Sequence, residues 1–293
     1  MNQYSWPGNR RCIGFLSVHF DAESFDLRMA AGSSLFGRYS YGRYGLRAGL
    51  PRLMGMLARR HIHATFFVPA SDARRHPALV RGLVDHGHEV AARGVDLEDF
   101  ARLGDKEFET LKTSRDVLAD ITGTMPAGFR APGGNLSGDT LRHLGELGFL
   151  YDSSFQDADY PYRIETEQGR SIVEIPTSFA LEDAPVYSAR HTHERLMRIW
   201  RDEFMANYEE GVLVPLTIHL RGDIGSTRAA RTAALENLLE EIQGHENIAF
   251  MTGKQLAEHT IKLGLTPEPD PLTAHLPTLK ATPYRGDLSV KPI

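Results

Sequence analysis

Three short stretches carry residues that could move a proton or hold a developing charge. SVHFDAES at 17–24 sets His19, Asp21 and Glu23 two residues apart, and if extended backbone continues through them the three side chains share one face. An aspartate there can orient a water, and a histidine carries a proton near neutral pH; Glu23 suits turning of the chain as well as contact with a substrate. AGFRAPGGNLSG at 127–138 presents Arg130, a side chain able to grip a carboxylate with two parallel N–H bonds. Behind it Pro132, Gly133, Gly134 and Asn135 form a loop whose N–H groups suit a carbonyl oxygen gaining charge. VLVPLTIHL at 212–220 ends an apolar run in His219. A lone histidine in such a place is usually structural, but beside Asp21 and Arg130 it becomes an acid/base candidate. Asp152, in YDSSF, reads as a turn cap.

These residues follow short apolar runs that behave as strands: 13–20, 64–68, 89–92, 127–130, 212–219 and 248–251. Helical patterns lie between them near 49–60, 72–86, 105–120, 138–147, 191–208, 228–243 and 253–263, with Gly87 and Gly148 as stops. Alternation of this kind predicts an α/β fold with parallel strands, a barrel or an open doubly wound sheet, and places functional side chains at the carboxyl ends of the strands. Two segments break the pattern. SSLFGRYSYGRYGLRAG at 33–49 is long for a connection and offers Phe36, Tyr41 and Tyr44 as a wall over a small flat ligand, or as a loop packing its own tyrosines. Residues 264–293 carry six prolines and read as a tail after a single domain spanning 1–263.

Composition narrows the class. Forty-one per cent hydrophobic and 24% charged residues are ordinary globular usage, and 293 residues can bury a sizeable core. A net charge of -5 without a basic stripe argues against a nucleic-acid partner. The single cysteine, Cys12, excludes an intrachain disulfide, and no Cys/His cluster offers a zinc framework. No signal-peptide core opens the chain and no run approaches ~18 apolar residues, so the expectation is a cytoplasmic protein without a membrane partner. No G-x-S-x-G elbow supplies a serine nucleophile.

Taken in order, FDAES at 20, ATFFVPA at 64, GHEVAA at 87, TGTMPAGFRAPGG at 122, LGFLYDSSF at 147, YEEG at 208, LTIHLRGDIGSTR at 216 and MTGKQLAEH at 251 resemble the polysaccharide deacetylase superfamily. The resemblance is strongest to its branch of peptidoglycan-deacetylase-like proteins, metal-independent allantoinases and cyclic imide hydrolases. It implies a distorted (β/α) barrel with fewer than eight strands and a homotetramer. In metal-dependent members an Asp-x-Asp pair supplies a base and a metal ligand, and the loop after GHEVAA supplies two histidine ligands. Those positions fall on His19, Asp21, Arg93 and Leu97, so only Asp21 keeps the pattern. Arg130 and His219 match the arginine that supports the catalytic carboxylate and the general-acid histidine.

With one surviving ligand the resemblance points away from a tightly held metal, although Asp96, Glu98 or Asp99 offers oxygen ligands for a rebuilt divalent site such as zinc. Arg93 would return positive charge to the vacated position. The expected activity is metal-independent opening of a small cyclic imide to a half-amide, with His219 or His19 moving the proton, Asp21 orienting and no cofactor. The alternatives are a metal-dependent carbohydrate or peptidoglycan N-deacetylase with a rebuilt site, and an allantoinase- or hydantoinase-like cyclic amidase.

Overall fold

The run CIGFLSVH shows no alternation of polarity because a strand covered on both sides needs none, and every residue of Cys12–His19 (β1) is buried. The computed structural model describes residues 4–30, 40–166 and 169–273. The further strands are Thr65–Val68 (β2), Glu89–Ala92 (β3), Gly128–Phe129 (β4), Tyr151–Asp152 (β5), Tyr162–Glu165 (β6), Ser171–Glu174 (β7), Leu213–His219 (β8), Ile248–Phe250 (β9) and Glu268–Pro269 (β10). They form one sheet in the order β10-β6-β7-β5-β4-β3-β2-β1-β8, with β9 also on β1. All pairings are parallel except the β6–β7 hairpin. The curved wall from β7 to β8 is a distorted barrel of the predicted kind. Its interior is filled by Phe15, Phe67, Tyr151, Val173, Leu213 and Leu256 among others.

Register decides what the barrel mouth contains. β1 and β8 pair from Ile13↔Leu213 to His19↔His219, so two histidines distant in sequence end neighbouring strands side by side. The wall does not close by strand pairing between β7 and β8. The chain leaving β7 runs across that gap, bonds Thr177 N–H to the Phe155 carbonyl, and touches β8 at a single bridge, Glu182↔Thr217.

The helices lie outside: Glu23–Ala30 (α1), Tyr41–Tyr44 (α2), Leu50–Arg60 (α3), Ala70–Arg75 (α4), Pro77–Asp85 (α5), Glu107–Thr122 (α6), Thr140–Glu146 (α7), Asp183–Ser188 (α8), His193–Glu210 (α9), Ala229–Gln243 (α10) and Gly253–Lys262 (α11). Three expectations change. The helix read at 72–86 is two helices, because Pro77 starts a new one and His76 leaves helical geometry at φ -132°. Extended backbone stops at His19, and Glu23 begins α1, so it leaves the face of His19 and Asp21. Residues 41–49 are no lid: α2 passes through a π-helical turn at Gly45–Gly49 into α3. A side chain at Gly45 would collide with the Leu220 carbonyl, which is how this helix lies against the end of β8. Phe36 lies outside the described residues, as does the chain after residue 273. Among the described residues no helix is long and apolar enough to cross a membrane.

Close approach matters most at Gly128, where an added Cβ would fall inside the Tyr151 ring that plugs the barrel. Gly128→Ala is expected to lower unfolding free energy by on the order of 3 kcal/mol, measured by urea denaturation; a change under about 0.5 kcal/mol, as at ordinary surface sites, would show that Tyr151 does not fill that space.

Candidate active site

At the carboxyl ends of β1, β3, β4 and β8 the side chains of His19, Arg93, Arg130 and His219 meet, with Asp21 beyond β1. All five residues are buried, and they line a cavity of about 530 Å³, within the range of small-molecule sites. Arg93 Nε donates to Asp21 Oδ1 at 2.8 Å and its Nη2 to Oδ2 at 3.4 Å, while Nη1 lies 3.4 Å from His19 Nε2. These contacts leave N–H groups on both terminal nitrogens of Arg93 without a partner among the described residues.

Arg130 does not hold a carboxylate. Its Nε donates to the Ser153 carbonyl at 2.8 Å, Nη2 to Ser153 Oγ at 2.8 Å, and Nη1 to Ser17 Oγ at 2.8 Å, with Thr217 Oγ1 at 3.3 Å and His19 Nε2 at 3.2 Å. The cation stacks 4.2 Å from the centre of the Phe67 ring. Burial and the nearby Arg93 push its pKa down to about 10, which leaves it protonated at neutral pH. It acts as a fixed support for His19.

Proton positions follow from this arrangement. His19 Nε2 faces two guanidinium groups that can only donate, so it accepts and His19 carries its proton on Nδ1. That N–H points at His219 Nε2, 3.0 Å away. His219 in turn presents Nδ1–H to Asp183 Oδ1 at 2.8 Å. Asp183 is fully buried and also accepts from the backbone N–H groups of His219 and Ser226 and from Ser226 Oγ. Burial, then the charges of Arg93, His219 and Arg130, hold His19 well below the ordinary histidine pKa. Burial acts to lower His219 too, but the hydrogen bond and charge of Asp183, with Asp21 and Glu182, outweigh it and the net shift is upward. A protonated His219 has Glu182 Oε1 at 3.5 Å and Asp21 Oδ2 at 3.9 Å as neighbours of Nε2. Of the two histidines, His219 is therefore the one suited to carry a proton near neutrality.

The sequence did not reveal Asp183, Glu182, Ser17, Ser153 or Thr217. The acidic pair in SFALEDAP reaches His219 only because residues 175–182 bridge the gap in the barrel, and no spacing rule encodes that. Asp152 does cap its turn, accepting from Ser154 N–H at 3.1 Å and Ser154 Oγ at 2.8 Å. Glu23 pairs with His76 at 3.0 Å and Arg43 at 3.9 Å and is not on the cavity wall. Tyr41 and Tyr44 are not on it either; Tyr44 stacks under Arg228, 3.9 Å from the ring centre, and bonds Arg52. The aromatic walls are Phe25 and Phe179. Phe25 is backed by Arg221, whose guanidinium lies 4.3 Å from its ring and is pinned by Asp26 at 2.7 Å. Pro132, Gly133, Gly134 and Asn135 all line the cavity, and Gly134 spends its N–H on the Ala131 carbonyl.

His19, Asp21 and His219 bring ligand atoms within 4.8 Å of one another, the spacing of a divalent-metal site. The donors do not fit a metal. Arg93 already occupies Asp21, both guanidiniums point at His19 Nε2, and the remaining His19 nitrogen faces His219. A divalent ion would sit against two permanent cations. Asp96, Glu98 and Asp99 do not rebuild a site: Glu98 binds the Val95 and Asp96 N–H groups, Asp99 pairs with Arg102, and none joins the three-residue cluster.

A parallel barrel with an Asp–His pair and a fixed cation in its mouth can move a proton and hold a developing negative charge. The polysaccharide deacetylase family model matches residues 41–151. A structure from Mycobacterium smegmatis, named provisionally as a polysaccharide deacetylase, superposes with a TM-score of 0.85 at 33% identity, over 95% of this chain and 99% of that one. The Puue allantoinase superposes with a TM-score of 0.77 at 25% identity, over 87% and 91% of the two chains. The peptidoglycan deacetylase of Helicobacter pylori is 26% identical over 279 residues, covering 84% of this chain and 94% of that one. The chain belongs to the polysaccharide deacetylase family, and its class of chemistry is hydrolysis of C–N bonds.

Because folding raises the His219 pKa, its protonation contributes stability that is complete below the unfolded value of about 6.5 and is lost as pH rises through the folded value. Asp183→Asn is expected to move the His219 titration to lower pH in imidazole ¹⁵N NMR and to remove that contribution. An unmoved titration would show that Asp183 does not set the His219 proton affinity.

Proposed function

We propose that this protein opens small cyclic amides, cyclic imides first among them, by adding water to one ring carbonyl without a metal. The observation that carries the reading is Arg93, a permanent cation held by Asp21 beside His19 where the family resemblance places a metal ligand. An acetamide is a poor electrophile and calls for a Lewis acid to polarise it. In a cyclic imide the nitrogen lone pair is shared between two carbonyls, so each carbon is more electrophilic and the nitrogen leaves more readily. A guanidinium is then sufficient to meet the oxyanion.

In the reaction His219 Nε2 takes a proton from water, which displaces the resting contact with His19. The water oxygen bonds to the carbonyl carbon, and the carbonyl oxygen gains charge facing the free N–H groups of Arg93. Collapse of this adduct breaks the ring C–N bond, and the nitrogen takes the proton back from His219. The product is a half-amide whose new carboxylic acid ionises at neutral pH. Asp183 holds the His219 tautomer throughout, and Asp21 holds Arg93. Similarity to an allantoinase, whose name denotes a cyclic ureide substrate, supports the cyclic class. A second reading, removal of an N-acetyl group from a carbohydrate, is favoured by the name of the Helicobacter relative.

A panel of succinimide, maleimide, phthalimide, hydantoin, allantoin and N-acetylglucosamine oligomers separates the two, with ring opening followed by ultraviolet absorbance and deacetylation by acetate release. Imide opening without acetate release is expected; acetate release without ring opening would establish the second reading instead. In the same assay His219→Ala is expected to lower kcat by about 10²–10⁴ and Arg93→Ala by about 10²–10³. Unchanged rates in either variant would remove that residue from the mechanism.

A further inference from the structure

Two carboxylates of the cavity are fully engaged and a third in part. Asp21 is held by Arg93 and Glu98 by two backbone N–H groups, while Asp99 meets Arg102 at 3.3 Å through Oδ2 and keeps its Oδ1 unpartnered among the described residues, away from the histidines. Glu182 lines the same cavity with its side chain 25% exposed, and its ion-pair contact among the described residues is His219 Nε2 at 3.5 Å, beyond a good hydrogen bond. Its position is built rather than incidental. The Glu182↔Thr217 bridge fixes its backbone against β8, and the next residue, Asp183, is anchored by four hydrogen-bond donors from His219 and Ser226. The two adjacent acids thus address opposite edges of the same imidazole. Asp183 binds Nδ1 from behind, and Glu182 faces Nε2 from the cavity side.

A free carboxylate beside the proton-carrying nitrogen selects what a substrate can place there. A carbonyl oxygen would be repelled, while an N–H would be bound through a charge-assisted hydrogen bond. We propose that Glu182 is the specificity-determining residue that binds the ring N–H next to the scissile carbonyl, restricting the substrate to cyclic amides and imides whose nitrogen is unsubstituted; this rests on the ring-opening reading above. The contact does two things at once. It sets the leaving nitrogen within reach of His219 Nε2, where the returning proton must arrive. It also disfavours the ring-nitrogen anion, in which both carbonyls are deactivated, because a second negative charge would lie against the carboxylate.

The test compares succinimide with N-methylsuccinimide for the wild type, Glu182→Ala and Glu182→Gln, with each rate divided by the rate of uncatalysed alkaline opening. The wild type is expected to prefer succinimide by about 100-fold in kcat/KM, the size of one hydrogen bond to a charged group. Glu182→Ala should lose most of that preference by slowing on succinimide alone, and Glu182→Gln, which keeps an acceptor oxygen without the charge, should recover about 10-fold. Equal loss on both substrates, or a wild type indifferent to the methyl group, would overturn the assignment. If the wild type opens no ring at all, the ring-opening reading fails by itself. Calorimetric titration of succinimide and hydantoin into the wild type and Glu182→Ala then decides the N–H contact: weaker binding by the variant sustains it, and equal or absent binding overturns it.

Discussion

The ion pair between Arg93 and Asp21 is the interaction on which the rest of the site depends. Both side chains are almost wholly buried, and neither charge is tolerable there alone: breaking such a pair costs about 3–5 kcal/mol because the survivor stays desolvated. The pair also sends its consequences outward. A guanidinium fixed by Asp21 turns donors toward His19 Nε2, Arg130 does the same from the other side, and His19 is left with its proton on Nδ1. His219 must then accept from His19 and donate to Asp183. The two buried cations therefore select one tautomer for each of two histidines, while Asp183, with Asp21 and Glu182, tunes the proton affinity of His219 upward against the effect of burial.

The fold makes this chain possible through two features of topology. In-register pairing of β1 with β8 sets His19 beside His219, and incomplete closure of the barrel between β7 and β8 lets a non-strand segment carry Glu182 and Asp183 to the mouth. A fully closed wall would have put another strand where those carboxylates lie. The same constraint bears on substrate choice. On the ring-opening proposal, a site that stabilises charge with a guanidinium and moves protons with an imidazole would be matched to carbonyls already activated by their own bonding, as in a cyclic imide.

Much of the scaffold was legible because its physics is local. Buried β-branched and aromatic runs gave β1, β2, β3 and β8 nearly to the residue, and Gly87 and Gly148 stop helices with φ of +79° and +82°. His19, Asp21, Arg93, Arg130 and His219 all stand at strand ends, where an α/β barrel gathers side chains. The failures share one cause, the need to know tertiary placement. Glu23 looked like a partner of Asp21 until a helix began at that residue, and Tyr41 and Tyr44 looked like a cover until they proved to lie on a helix packed behind β8. Arg130 faces hydroxyls, a carbonyl and His19 Nε2 because position 19, where the family resemblance places a carboxylate base, is a histidine in this chain. Asp183 went unseen because its value comes from a bridge across the open edge of the barrel.

The central claim is that Arg93 stands in for a metal ion. The most direct measurement is succinimide turnover by protein stripped with a strong chelator and verified metal-free by elemental analysis, compared before and after addition of stoichiometric zinc. Unchanged turnover in the metal-free protein, with no gain on adding zinc, is the predicted result. Activity lost on chelation and restored by the ion would contradict it.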